Sequence, residues 1–81
     1  MKKEFIINGK SVNKNEFDKL FSNLIFSKEL EEAFIEDNQN QNGVVRFTKA
    51  KNKEGKKYEY STLSFPEKDI FEIKEIIENE I

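Results

Sequence analysis

The apolar positions fall in short blocks whose spacing changes along the chain. Over residues 4–12, Phe5, Ile7 and Val12 are set among polar side chains, with Asn8-Gly9 at the centre. Period-two alternation marks strands, and Asn followed by Gly supplies the two positive-φ positions of a type I′ turn. A two-residue loop sets Ile7 opposite Lys10 and Phe5 opposite Val12, so Phe5, Ile7 and Val12 share a face. The spacing then becomes helical: Phe17, Leu20, Phe21 and Leu24 recur at three- and four-residue steps. Asn13 is a good N-cap with Glu16 at N3, and Val12 with Phe17 forms a hydrophobic staple.

Beyond this helix, Ser27 is placed to cap a second turn or short helix over residues 27–36, carrying Leu30, Ala33 and Phe34 inward. Residues 37–43 are a tract of Asp, Asn and Gln ending in Gly43, which reads as a polar loop. Residues 44–65 then read as a second hairpin. Asn52-Lys53-Glu54-Gly55 fits a type I turn with glycine in the left-handed position and a bulge beside it. That register pairs Lys49 with Glu59, Phe47 with Ser61 and Val45 with Leu63. It puts Val45, Phe47, Leu63 and Phe65 on one face, read as core. Arg46, Thr48, Tyr58, Tyr60 and Thr62 fall on the other, read as outward.

Pro66 suits the first turn of a last helix, where its missing N–H costs nothing. Ser64 and Glu67 have capping-box spacing, and Ile70, Ile73, Ile76 and Ile77 form a helical stripe with Phe71 beside it. The expected fold is therefore α+β. It is a small four-stranded antiparallel sheet of two hairpins with two or three helices packed on one face, in the order ββα(α)ββα.

Length narrows this to one domain over residues 1–81. A chain this short buries only about 60–65% of the surface its unfolded form exposes. Hydrophobic residues are 36% of it and charged residues 37%, but the apolar positions are clustered and eight are phenylalanine, which a disordered chain does not show. Lys, Asn, Ile, Glu and Phe are used heavily, as an AT-rich genome encodes. That composition suggests a low-GC bacterium, a phage or a mobile element.

Several chemistries lack their parts. With no cysteine and no histidine, there is no disulfide, zinc-thiolate site, imidazole ligand, or Ser-His or Cys-His nucleophile. Each of the three glycines is accounted for by a turn, so no phosphate-cradling loop remains. Asn38, Asn40, Asn42 and Gly43 outline an EF-hand loop, but its first position lacks a carboxylate and Lys49 stands where a bidentate Glu is needed. No metal, cofactor or catalytic residue is expected. No apolar run approaches the ~20 residues of a membrane span. Met1-Lys2-Lys3 leads into a strand pattern rather than a signal-peptide core, so a cytoplasmic location is expected.

Charge is unevenly spread. Residues 46–57 hold six basic side chains and one acid, a local +5 in a chain of net charge −2. The acids gather at Glu29, Glu31, Glu32, Glu36 and Asp37, and again at Glu67, Asp69, Glu72, Glu75, Glu78 and Glu80. Solvated faces and a lysine-rich edge that resists strand pairing explain this equally well. The functional expectation is a non-enzymatic protein-binding module: a small inhibitor or regulator of phage or mobile-element type, anti-defence proteins included, that occupies a partner's functional surface. Arg46, Tyr58 and Tyr60 are residue types enriched at binding hot spots. Lys53 and Lys56 extend that surface. Glu72 and Glu75 represent an acidic helical side suited to the basic channel of a nucleic-acid-handling enzyme. The alternative is a single-stranded nucleic-acid-binding domain, with the hairpin lysines on phosphates and the two tyrosines as stacking platforms. A homodimer covering the tyrosine face is a third possibility.

Overall fold

The first hairpin and the first helix form as their sequence signals require. The computed structural model describes residues 2–36 and 42–77. Strands β1 (Lys2–Ile7) and β2 (Lys10–Val12) are joined by Asn8 and Gly9, at φ 49° and 81°. Phe5 lies opposite Val12 and Ile7 opposite Lys10. Helix α1 (Lys14–Phe21) starts at Asn13, whose side-chain oxygen accepts the Glu16 N–H at 2.9 Å. That bond satisfies one of the free amides of the first turn.

The rest of the described residues form sheet and the turns that join it. Residues expected to form a second helix make β3 (Ile25–Glu36), followed by β4 (Asn42–Lys51), β5 (Lys57–Ser64) and β6 (Lys68–Glu75). All six strands join one sheet in the order β2-β1-β6-β5-β4-β3. Every neighbouring pair is antiparallel except β1 and β6, the first and last strands, which run parallel. The α+β expectation of a four-stranded antiparallel sheet under two or three helices is therefore corrected. The protein is a six-stranded mixed sheet with one short helix among the described residues.

Two physical reasons account for the difference. β6 is an inner strand between β1 and β5, so apolar residues are wanted on both of its faces, and strict alternation disappears. Its isoleucines satisfy a helical stripe on paper, yet β-branched side chains also suit a pleated sheet. Seven of the twelve β3 residues are Glu, Lys, Leu or Ala, which favour helix in isolation. Pairing with ten-residue β4 overrides that local preference. Pro66 serves a turn rather than a helix start: the Phe65 N–H donates to the Lys68 carbonyl at 2.9 Å, closing the β5–β6 connection with proline at its second position.

The β4–β5 register is the expected one, including Lys49 with Glu59, Phe47 with Ser61 and Val45 with Leu63. Gly55 is at φ 85° and donates its N–H to Asn52 O at 3.0 Å. What inverts is the choice of core face. α1 lies over the side carrying Tyr58 and Tyr60, not the side carrying Val45 and Phe47. Phe17, Leu24, Ala50, Tyr58 and Ile73 form the buried core, ringed by Phe5, Ile7, Val12, Leu20, Phe21, Phe26, Tyr60 and Phe71. Phe17 and Phe21 reach down from the helix: Phe17 is 5.2 Å from Phe5, and Phe21 is 5.0 Å from both Phe26 and Tyr60, centroid to centroid.

The opposite side of the sheet holds buried Val45 and Ser61 with half-buried Ile6, Phe47, Leu63 and Ile70. No helix of the described residues covers it. Both faces of the sheet are thus partly apolar, which is why face assignment from the hairpin alone went the wrong way.

Candidate functional site

The sheet ends in two unlike edges. β2 is three residues long, whereas β3 runs for twelve. β3 pairs only with β4 among the described residues, so its outer side presents backbone N–H and C=O groups to whatever lies beyond it. Ile25 and Leu30 project from it at 65% and 56% exposure, large apolar side chains left outside the core. Glu29, Glu31 and Glu32 are exposed beside them, with Lys28 the one nearby cation on the strand.

The register of β3 slips between Phe26 and Leu30, where three β3 residues stand against Lys49 alone. This bulge bends the strand and re-aims its side chains. Beside it opens a cleft of about 730 Å³ between the start of β3, the end of β4, the start of β5 and Ile76. Lys49, Lys51 and Lys57 line it together with Glu29.

The sequence-predicted contact residues are not brought together. Tyr58 is 7% exposed beneath the helix side of the sheet, and Tyr60 is half-buried against Phe17, Phe21 and Phe26. Burial pushes the Tyr60 phenol above its ordinary pKa of 10.0, because the phenolate loses hydration there. The expected outward tyrosine face is therefore corrected. The stacking platforms of the nucleic-acid alternative and the tyrosine face of a homodimer are core-side residues.

Arg46 is exposed and its Nε donates to Glu32 at 3.0 Å. Lys53 is an exposed turn residue. Lys56, from the basic hairpin, meets Glu75, from the supposed acidic helix, at 3.0 Å. Hydrogen bonding to Glu75, then its charge, raises the Lys56 pKa. Glu72 lies on the other face of β6, in line with Ile6 and Ser61. Among the described residues there is no acidic helical side, since Glu72 and Glu75 point to different surfaces of a strand; Glu78 and Glu80 lie outside the described residues.

The charge separation seen along the chain is also partly neutralised in space. Beside Arg46–Glu32 and Lys56–Glu75, Lys49 approaches Glu29 at 3.8 Å and Lys68 approaches Glu4 at 3.9 Å. Each of these pairs joins segments remote in sequence, which a linear count of charges does not anticipate. The β3 edge was missed because its residues were read as helical.

Among the described residues there is no group of three or more His, Cys, Asp or Glu side chains able to hold a metal ion. The EF-hand outline at Asn38 and Asn40 lies outside the described residues, while Asn42 and Gly43 belong to β4. No helix of the described residues is long and apolar enough to cross a membrane. No protein-family model matches the chain, and neither a curated protein nor a solved structure does.

Proposed function

We propose that this chain is a non-enzymatic protein-binding module, a small inhibitor or regulator that acts in the cytoplasm by occupying a partner's functional surface through β3. The observation that carries this reading is the twelve-residue edge strand with Ile25 and Leu30 exposed on it. Proteins usually blunt sheet edges by keeping them short, as β2 is here. An extended segment added to β3 gains main-chain hydrogen bonds along its length, and apolar pockets for alternate side chains supply specificity.

The charges on β3 select the partner. Glu29, Glu31 and Glu32 outnumber Lys28, so an acidic strand is repelled and a basic one is steered in. A basic surface of this kind is found on enzymes that handle nucleic acid, the partner class in keeping with this reading. The absence of cysteine suits a reducing compartment.

The test is site-directed photo-crosslinking in host lysate treated with nuclease. A crosslinker replacing Leu30 is expected to give a discrete protein adduct, and one replacing exposed Lys14 on the helix is not. Adding Glu29→Lys and Glu31→Lys should remove the adduct. Equal adducts from both positions, or none from position 30, would refute the edge as the contact surface.

A further inference from the structure

We infer that the cleft at the open end of the sheet binds a phosphate monoester that carries an apolar body. Its volume of about 730 Å³ lies within the range of small-molecule sites. Ile76, beside Lys57, and the exposed Ile25, opposite Lys51, give it an apolar lining. Three lysines and one glutamate add a net charge of +2. A phosphate monoester carries about −1.5 to −2 at neutral pH, and its oxygens take charge-assisted hydrogen bonds from ammonium groups.

The lysines are arranged in a way that folding alone does not favour. Lys51 and Lys57 stand directly opposite each other in the β4–β5 register, and Lys49 is two residues from Lys51 on the same face. Like charges directly across a pair of strands are destabilising. Lys49 shares Glu29, and Lys57 has an interaction of its own. Lys51 has no acidic partner among the described residues. Its ammonium is the group on which the proposal rests, and a dianion seated beside it relieves the repulsion across the pair.

The bulge in β3 gives the cleft its opening. Ser27 and Glu29, drawn out of the regular ladder, stand on its rim. Glu29 counters Lys49, so the anion is placed toward Lys51 and away from the β3 edge. The site needs no protein partner on β3, and its failure would leave the edge-strand reading intact.

The experiment is an amide NMR titration of the full chain at low salt with three probes: phenyl phosphate, inorganic phosphate and benzyl alcohol. Phenyl phosphate is expected to perturb Ile25, Ser27, Lys51 and Asn52 selectively, and to bind about tenfold more tightly than inorganic phosphate. Lys51→Glu should weaken it by about tenfold or more, while raising the unfolding temperature by a few degrees because the like-charge pair becomes an attractive one. That opposite movement of binding and stability separates a ligand site from a misfolded variant. Perturbation spread over all exposed lysines, equal affinity for inorganic phosphate, or unchanged affinity in Lys51→Glu would overturn the proposal.

Discussion

The side-chain oxygen of Asn8 accepts the backbone N–H of Glu75 at 2.8 Å, joining the tip of the first hairpin to the last strand, 67 residues away. The Asn8 N–H also donates to Ile73 O at 2.9 Å, so the turn continues the parallel β1–β6 ladder beyond its strands. Asn8 adopts φ 49°, where a side chain other than Asn or Gly is strained. Asn8→Gly keeps the backbone and loses only the side-chain bond, a cost of about 0.5–1.5 kcal/mol. Asn8→Ala adds the left-handed strain, for a total of about 2–3 kcal/mol. Urea unfolding of the two variants checks the order, which reverses if the turn conformation is unimportant.

Phe17 is the pin of helix α1. It is 3% exposed and touches Phe5, Phe21, Tyr60 and Phe71 with ring centroids 5.2 to 6.4 Å apart. An eight-residue helix is too short to persist unless it is packed. Phe17→Ala is expected to cost about 3–5 kcal/mol, a large share of the roughly 4–12 kcal/mol available to a domain of this length. Leu30→Ala on the exposed edge should stay within about 0.5 kcal/mol. Circular dichroism against urea for both variants tests the contrast.

These two sites also show where the chain is legible. The helix start at Asn13 and the turn at Asn8-Gly9 are set by neighbours within a few residues, and local pattern suffices for them, whereas the β5 and β6 partners of Phe17 and Asn8 are remote in sequence. The register of β4 and β5 was legible for the same reason, since Gly55 and the turn at Asn52 fix it locally. The pairing of β1 with β6 is not local. Nothing near Ile70 or Ile73 in sequence says that β1 will lie alongside them, and their spacing suits a helix as well as an inner strand. The buried position of Tyr58 follows from which face α1 selects, another long-range outcome. The contact surface was misread for that reason: the edge status of β3 is a property of the whole sheet.

Alkaline pH should unfold the domain earlier than its size alone implies. The Tyr60 pKa is raised above 10.0 by burial, so the folded state holds a proton that the unfolded chain releases first. Its contribution is fully present below pH 10.0 and is lost as pH rises toward the folded-state value. Lys56, raised above 10.5 by Glu75, acts in the same direction at slightly higher pH. Tyr60→Phe should therefore flatten the fall in stability between about pH 9.5 and 11, measured as urea midpoints along a pH series. An unchanged slope in that variant would show that burial of the phenol is not the cause.

Gly43 and Phe65 form a steric lock on the side of the sheet away from the helix. A Cβ at Gly43 would overlap the Cδ1–Cε1 edge of the Phe65 ring. Gly43 does not carry a positive φ, so the absence of a side chain there serves the close approach of the ring and not the backbone. Gly43→Ala is expected to destabilise by about 1–3 kcal/mol through overpacking. In a Phe65→Ala background the obstruction is gone, and the same substitution should become neutral or stabilising by up to about 1 kcal/mol, because alanine loses less backbone entropy in a strand. A double-mutant cycle in urea reads this change of sign directly. Additive effects of the two substitutions would mean that the ring does not rest on Gly43 in solution.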